Sequence, residues 1–234
     1  MWSGAGYVLL AERCPHLGIQ RETLSRRLQN GFPWHHPERD HTELATPDAW
    51  WDAVDHRFAD AFVGLGWGYA HRTRPFVQLR ERILEPRRHR VFDDVEPVLS
   101  RLRDRGWRHV IVSNHVPELP DIVTGLGIRE FFADVVSSGL VGYEKPHDAM
   151  FVAALRCAIP GAPIWMIGDN PECDCHPVGA FGANAILVRA AEPSFERHAA
   201  DLWQVARLIT SSQSANWKRP GGCEPLLDAN SCDV

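Results

Sequence analysis

Short apolar runs alternate with amphipathic stretches from about residue 91 onward. The runs HVIVS, ADVVSSG, IWMIG and AILVR have the length of strands, and they lack the polar and apolar alternation of a half-exposed strand. Strands that are apolar on both faces are typical of a parallel sheet with helices on both sides. The pattern therefore predicts four strands of a buried parallel sheet.

Helices are predicted between these strands. Residues 94–105 carry Val98, Leu99 and Leu102 at helical spacing and are followed by Gly106. The stretches PELPDIVTGLGI, HDAMFVAALRCAI and HPVGAFGA are also predicted helices. Alternation of strand and helix through short, right-handed connections predicts an α/β fold with a doubly wound parallel sheet. In such a sheet the functional site lies at the carboxyl ends of the strands.

The first third of the chain has a helical pattern instead. Thr46 is suited to cap a helix that begins at Pro47, and QRETLSRRLQNG is another predicted helix. We expect residues 1–86 to form a mostly helical cap, 87–210 an α/β core, and 211–234 a disordered polar tail. The apolar residues that follow Pro47 at helical spacing are Trp50, Trp51, Val54, Phe58 and Phe62.

Composition narrows the classes of function. The 234 residues carry a formal net charge of -5, with a pI of about 6.2, which argues against a general binder of nucleic acids or anionic membranes. No apolar run approaches the length of a membrane span, and the first 14 residues make a poor secretion signal. The six cysteines lack the spacing of a disulfide framework. We therefore expect a cytoplasmic protein with reduced thiols.

Three chemical signals follow predicted strands or begin predicted helices. Ser113 ends the strand HVIVS, Lys145 precedes Pro146 at a helix start, and Asp169 and Asp174 follow the strand IWMIG. Mg²⁺ prefers oxygen ligands and often takes only one or two carboxylates, together with water and phosphate. A lysine offsets the charge of a phosphoryl group, and a serine orients one of its oxygens. Together these residues can hold a phosphate and a hard cation.

Each of these residues alone has an ordinary interpretation. Ser113 would be a loop serine, Lys145 a solvated surface lysine, and an aspartate after a strand a helix cap. Their combination, in order and at the strand ends of one sheet, favours a site. Two other groups carry less weight: the sequence CDCH at 173–176 lacks Cys-x-x-Cys spacing, and His35, His36 and His41 lie in a proline-rich loop of the cap.

The three signals resemble motifs two, three and four of the haloacid dehalogenase-like hydrolase superfamily. The matching elements are a strand ending in Ser113, Lys145 followed by proline, and the Gly-Asp-x-x-x-x-Asp that contains Asp169 and Asp174. The resemblance covers about residues 90–190, and the segment before it resembles the family's helical cap. The dehalogenase branch lacks the Gly-Asp-x-x-x-x-Asp motif, so the resemblance implies phosphate-ester hydrolysis.

The same resemblance implies a role for each residue. Ser113 and Asn114 would bind the phosphoryl oxygens, Lys145 would neutralise their charge, Asp169 would hold Mg²⁺, and Asp174 would support the metal or its waters. Asn170 is a further candidate at the second strand end. The expected substrate is a small phosphorylated metabolite whose identity the sequence does not name, and the oligomeric state is likewise open.

The family's first motif, Asp-x-Asp-x-Thr, has no counterpart in this sequence. Its first aspartate attacks phosphorus and its second acts as acid and base, and no Asp-x-Asp occurs among the 234 residues. No nucleophile is therefore assigned, and we expect the chain as written to be inactive. Three interpretations are open: about fifteen to twenty residues, a strand plus its turn, are missing before Met1; the protein is a non-catalytic phosphate-binding, Mg²⁺-binding or regulatory module; or YVLLA occupies the central strand position, with Glu12 near the missing aspartate.

Overall fold

A computed structural model describes residues 26–28, 30–63, 80–190 and 195–214 of the chain. The predicted strand YVLLA, most of the predicted helix QRETLSRRLQNG and residues 215–234 of the predicted tail lie outside the described residues. The strands are β1 (His109–Ser113), β2 (Phe132–Ser137), β3 (Trp165–Gly168), β4 (Asn184–Val188) and β5 (His198–Ala199). The α-helices are α1 (Pro47–Val63), α2 (Val95–Arg103), α3 (Leu119–Gly125), α4 (Ser138–Val141), α5 (Asp148–Leu155) and α6 (Leu202–Ser214).

Shorter helical turns connect these elements. They are 3₁₀ turns at Pro33–His35, Thr42–Leu44, Pro86–Arg88, Arg129–Phe131 and Pro177–Phe181, and a π-turn at Pro171–Cys175. The described residues fall into two compact units. The first takes its residues from 1–92 and 109–157, and the second from 93–108 and 158–234.

The long helix of the first unit is α1. The backbone N–H of Ala49 donates to the Thr46 side-chain oxygen at 3.3 Å, so Thr46 caps α1 as its sequence predicts. The predicted apolar face is buried: Trp50, Trp51, Val54 and Phe58 form one core cluster together with Leu28 and Phe32 of the preceding segment. No helix among the described residues is long and apolar enough to cross a membrane.

The first unit also contains a parallel strand pair. Strand β1 pairs with β2, with Ser113 level with Ser137 at the carboxyl ends. Helix α3 packs on β2 through a cluster that contains Leu119, Val123 and Val135. The strand pair thus places the end of β1 beside the start of α4, which follows β2 directly.

The described part of the second unit contains a three-stranded parallel sheet and two α-helices. Strand β4 lies between β3 and β5, with Trp165 level with Asn184 and Leu187 level with His198. Every strand pair among the described residues is parallel, which confirms the predicted α/β class. The Asp94 carboxylate accepts from the Leu202 backbone N–H at 2.8 Å and pairs with Arg189 at 2.5 Å. The hydrogen bond thus joins the start of α2 to the start of α6, and the ion pair joins the start of α2 to the residue that follows β4.

Two elements of the second unit were not predicted. Strand β5 has only two residues, and α6 begins after a segment without clear periodicity. The predicted core boundary at residue 210 falls inside α6, which continues to Ser214. The buried face of α6 contributes Val205, Ala206 and Ile209 to the core of this unit.

The fully buried Ile186 on β4 offers a test of this core. Its side chain is 0% exposed, so Ile186→Val removes one methylene from a filled interior. We expect the free energy of unfolding to fall by about 0.5–1.5 kcal/mol, as measured by urea denaturation. Ile159→Val makes the same chemical change at a side chain that is 44% exposed and should have little effect. Equal losses in both variants would contradict the burial of Ile186.

Candidate active site

Ser113 and Lys145 meet at the carboxyl end of β1. Ser113 is the last residue of the strand and is half-buried. The Lys145 side chain is buried, and its Nζ donates to the carbonyl oxygen of Val112 at 2.9 Å. Because Val112 directly precedes Ser113, the ammonium group and the serine hydroxyl belong to the same strand end. Lys145 is therefore not the solvated surface lysine of the ordinary interpretation.

Asn114 holds the main chain of Lys145 by two hydrogen bonds. The Lys145 N–H donates to Asn114 Oδ1 at 2.6 Å, and Asn114 Nδ2 donates to the Lys145 carbonyl at 3.0 Å. A two-point bond of this kind fixes both position and orientation. These contacts support a positioning role for Asn114, while its assignment as a phosphate ligand stays a prediction.

Glu144 is a buried acid that sequence reasoning did not assign. Its side chain is 5% exposed, and its Oε1 accepts from the Ser138 hydroxyl at 2.8 Å. Burial raises the pKa of Glu144 to about 7, against the opposing effects of the Ser138 hydrogen bond and the charge of Lys145. The signal in the sequence was an acid directly before Lys145, at the end of the uncharged run 135–143.

His115 has a structural place beside this site. Its backbone N–H donates to the Ser138 hydroxyl at 2.9 Å, and its carbonyl accepts from the Ser137 hydroxyl at 2.8 Å. Burial, and secondarily the charge of His89, lowers the pKa of His115 to about 4. The imidazole is therefore neutral at physiological pH, and the residue ties the loop after β1 to the start of α4.

Asp169 and Asp174 have different environments in the second unit. Asp169 follows β3 directly and is exposed, whereas Asp174 is 4% exposed within the π-turn. The Asn170 backbone N–H donates to Asp174 Oδ2 at 3.1 Å, and Asn170 Oδ1 accepts from the Cys173 N–H at 3.0 Å. Asp174 and Asn170 thereby organise the loop that presents Asp169.

Close packing of this loop depends on Gly168. A Cβ atom at Gly168 would collide with the carboxyl group of Asp174, whereas one at Gly179 would meet nothing within 4 Å. We expect Gly168→Ala to lower the free energy of unfolding by about 1–3 kcal/mol, because Asp174 must shift. Thermal denaturation with Gly179→Ala as the matched control measures this. If the two variants melted alike, the tight fit of Asp174 over Gly168 would be refuted.

The carboxylate oxygens in this loop are suitable ligands for a hard divalent cation. Carboxylate oxygens are the ligands that Mg²⁺ prefers, and it often takes one or two of them with water completing its shell. The exposed carboxylate of Asp169 suits direct ligation, whereas Asp174 already accepts a backbone N–H. Within the described ranges no three His, Cys, Asp or Glu side chains gather as a metal-ion group. The described histidines of the cap and the residues Cys173–His176 are therefore not part of such a group within the described ranges.

The predicted site residues thus form two groups. Ser113, Asn114 and Lys145 lie at the end of β1 in the first unit, and Asp169 and Asp174 lie in one loop of the second. Glu144 and Ser138 join the first group without having been predicted. The first group offers a hydroxyl donor and a fixed cation, which are suited to an anion, and the second offers carboxylates, which are suited to a cation.

Comparison with known proteins decides the family. The model of the haloacid dehalogenase-like hydrolases matches residues 22–178. The chain belongs to this hydrolase family. The match includes every predicted site residue, and it confirms the resemblance that the three motifs indicated.

Curated relatives of the chain include proteins named as phosphatases. The chain is 36% identical over 151 residues to haloacid dehalogenase-like hydrolase domain-containing protein 3 of Mus musculus, covering 63% of this chain and 59% of the relative. It is 34% identical over 149 residues to a phosphoserine phosphatase of Thermus thermophilus, covering 62% and 58%. A glyceraldehyde 3-phosphate phosphatase of Methanothermobacter thermautotrophicus is 33% identical over 112 residues, covering 46% and 49%. The chain therefore spans less than two thirds of the length of these relatives.

Solved structures of haloacid dehalogenase-like proteins share the fold. A 2-haloacid dehalogenase from Pseudomonas syringae superposes with a TM-score of 0.60 at 22% identity, covering 91% of this chain and 94% of the other. A phosphatase of this family from Thermococcus onnurineus gives 0.57 at 20% identity, covering 88% and 87%. At this level of identity the likeness establishes the α/β fold alone.

Proposed function

We propose that this protein acts on small phosphomonoesters as a Mg²⁺-dependent phosphatase of the cytoplasm. The single observation that carries the proposal is the buried Lys145, whose ammonium group donates to the Val112 carbonyl at the end of β1, one residue before Ser113. A fixed cation next to a hydroxyl donor is suited to the doubly charged phosphoryl group of such an ester. Curated relatives named as phosphatases support the same choice.

The residues of the first unit would bind and orient the phosphoryl group. The Ser113 hydroxyl donates a hydrogen bond to one phosphoryl oxygen, and the Lys145 ammonium neutralises negative charge as it builds up in the transition state. Asn114 fixes the position of the Lys145 main chain through two hydrogen bonds. These contacts support a site that needs little reorganisation when the ester binds.

In the second unit, Asp169 would hold Mg²⁺ and Asp174 would keep the loop in shape. Bound Mg²⁺ supplies positive charge that stabilises phosphoryl oxygens. The exposed Asp169 carboxylate is suited to ligation, and the buried Asp174 carboxylate accepts the Asn170 N–H. In this proposal Asp169 is the metal ligand and Asp174 stabilises the loop.

Replacing each aspartate by asparagine distinguishes the metal-binding role of Asp169 from the structural role of Asp174. Asp169→Asn should weaken Mg²⁺ binding at least tenfold, because one anionic ligand is lost, with little change in the free energy of unfolding. Asp174→Asn should instead lower stability, because the Asn170 N–H loses a charged acceptor. Calorimetric titration with MgCl₂ and urea denaturation of both variants measure this. Unchanged Mg²⁺ affinity in Asp169→Asn would remove it from the metal site.

A second candidate function rests on the lack of an Asp-x-Asp in the sequence. The family's attack on phosphorus uses the first aspartate of that motif, so we propose that these 234 residues bind phosphate without turning an ester over. In this second candidate function, the protein is a binding or regulatory module on the same fold. The two candidates differ in what the protein from its own source can do.

Hydrolysis assays on two preparations test the proposal. The 234-residue chain and the protein purified from its own source are each incubated with a panel of small phosphomonoesters and MgCl₂, and inorganic phosphate is measured. Hydrolysis by the natural protein that is abolished by EDTA supports the phosphatase. Calorimetric binding of phosphate by both preparations, without hydrolysis by either, supports the binding module and overturns the phosphatase.

A further inference from the structure

A small cavity lies inside the first unit, between the segment before α1 and the loop after α4. Its volume is about 10 Å³, which is the space of one water-sized group. Apolar and aromatic side chains form one wall and Glu144 lies in the other. The side chains that matter for its chemistry are Leu44, Trp50, His41, Ser138, Tyr143 and Glu144.

Main-chain contacts hold the two walls together. The His41 N–H donates to the Gly142 carbonyl at 2.8 Å, and a Cβ at Gly142 would lie 2.7 Å from the Thr42 Cα. Gly142 also has a φ of +82°, which favours glycine. The spacing of the walls is therefore set by backbone atoms and does not depend on flexible side chains.

One carboxylate oxygen of Glu144 lacks a donor. The side chain is 5% exposed, and Oε1 accepts from the Ser138 hydroxyl. The buried Oε2 has no hydrogen-bond partner among the residues that the structure describes. Buried polar atoms are nearly always satisfied in folded proteins, so this oxygen indicates a ligand that brings a donor.

We propose that this cavity is a binding site for a primary ammonium group. An ammonium group has the size of the cavity and supplies N–H donors to Glu144 Oε2. Its positive charge balances the buried carboxylate, which a neutral hydroxyl does not. Trp50 is among the residues that line the same cavity, and aromatic residues attract cations. A quaternary ammonium is too large and has no N–H to donate.

The ammonium group can come from two sources. It can belong to the phosphomonoester itself, in which case this part of the inference rests on the proposed function, or to a separate small amine. Lys145 follows Glu144 directly in the chain, so the cavity and the proposed phosphoryl site share one loop. The charge of Lys145 acts on the Glu144 carboxyl group, and the other titratable residues that line the cavity are His41 and Tyr143. The charges of these groups enter any pH dependence of binding.

Titration with methylammonium chloride tests the site without any phosphate ester. The backbone amide signals of Gly139 and Gly142 are followed by NMR, with potassium chloride at equal ionic strength, methanol and trimethylammonium as comparison solutes. We expect saturable shifts with methylammonium, and binding at least tenfold weaker with trimethylammonium. Glu144→Gln, which keeps the shape and removes the charge, should also weaken methylammonium binding at least tenfold.

Several results overturn the proposal. Equal binding of methanol and methylammonium would mean that only a hydrogen-bond donor is recognised, and absence of saturable shifts would mean that the cavity holds water alone. The comparison of methylammonium with trimethylammonium uses the wild-type protein, so it stands even where Glu144→Gln fails to fold. Methylammonium binding is also independent of whether any phosphate ester is hydrolysed.

O-phosphoethanolamine distinguishes the two sources. Binding at least tenfold tighter than either methylammonium or inorganic phosphate, with loss in Glu144→Gln, assigns the ammonium to the phosphorylated substrate. Methylammonium binding that is unaffected by saturating O-phosphoethanolamine assigns the cavity to a separate amine. Both outcomes support an ammonium site. They differ in whether its ligand also occupies the proposed phosphoryl site at Lys145.

Discussion

Lys145→Met should weaken the binding of inorganic phosphate by about 10- to 150-fold. The lysine ammonium supplies a charge-assisted hydrogen bond to an anion, and such bonds contribute about 1.5–3 kcal/mol. Methionine has a similar length without the charge, so it fills the buried space that Lys145 occupies. Calorimetric titration with phosphate, in the presence of MgCl₂, measures the change in Kd.

The matched control is Arg101→Met, which removes a positive charge from an exposed position on α2. It tests whether net charge alone lowers phosphate affinity, and it should leave Kd within about twofold because exposed charges are screened by salt. Urea denaturation of both variants shows whether the fold is kept. If Lys145→Met bound phosphate as tightly as wild type, the phosphoryl site at the end of β1 would be refuted.

Glu144→Gln should become more stable relative to wild type as pH rises. Burial raises the pKa of Glu144 from 4.5 to about 7, so the folded protein holds a proton between these values that the unfolded chain has lost. The free energy of unfolding of wild type therefore falls as pH rises through this window. A shift of this size corresponds to about 3 kcal/mol. Glutamine does not ionise, so the free energy of unfolding of the variant does not fall for this reason as pH rises.

Urea denaturation of both proteins at pH 4.5 and pH 8 measures the effect. The lowered pKa of His115 acts in the opposite sense, because its stabilising effect is lost as pH falls from 6.5 towards about 4. That effect is common to both proteins and cancels in their difference. Glu43→Gln changes an exposed glutamate in the same way and should show no pH-dependent difference. A constant difference for Glu144→Gln would contradict the buried ionisation.

Local patterns were sufficient for most of the fold. The run HVIVS became β1 and IWMIG became β3, because a strand buried on both faces must be apolar throughout. Helix α1 followed from a cap at Thr46 and from aromatic side chains at helical spacing. Strand β5 and helix α6 were not predicted. Two residues are too few for a periodic signal, and part of the buried face of α6 contacts α2, about a hundred residues earlier.

The sequence alone also predicted the site residues as separate points at strand and helix ends. Ser113 and Asp169 follow their strands by local chain order, so their positions needed no knowledge of distant contacts. Membership in the hydrolase family followed from the order of the motifs, and the family match over residues 22–178 confirms it. The phosphoryl and metal roles of the individual residues stay predictions that the proposed variants test.

Only the tertiary structure decided how these residues are held. The bonds between Asn114 and Lys145 join residues 31 positions apart, and Glu144 borders a cavity together with residues of the segment before α1. Desolvation and long-range hydrogen bonds are set by atoms distant in the chain, and no local pattern records them. A pattern of residue types thus predicted the elements and the motif. The packed fold determined which carboxyl group is buried, which lysine is fixed, and where a cavity of one water's size is left.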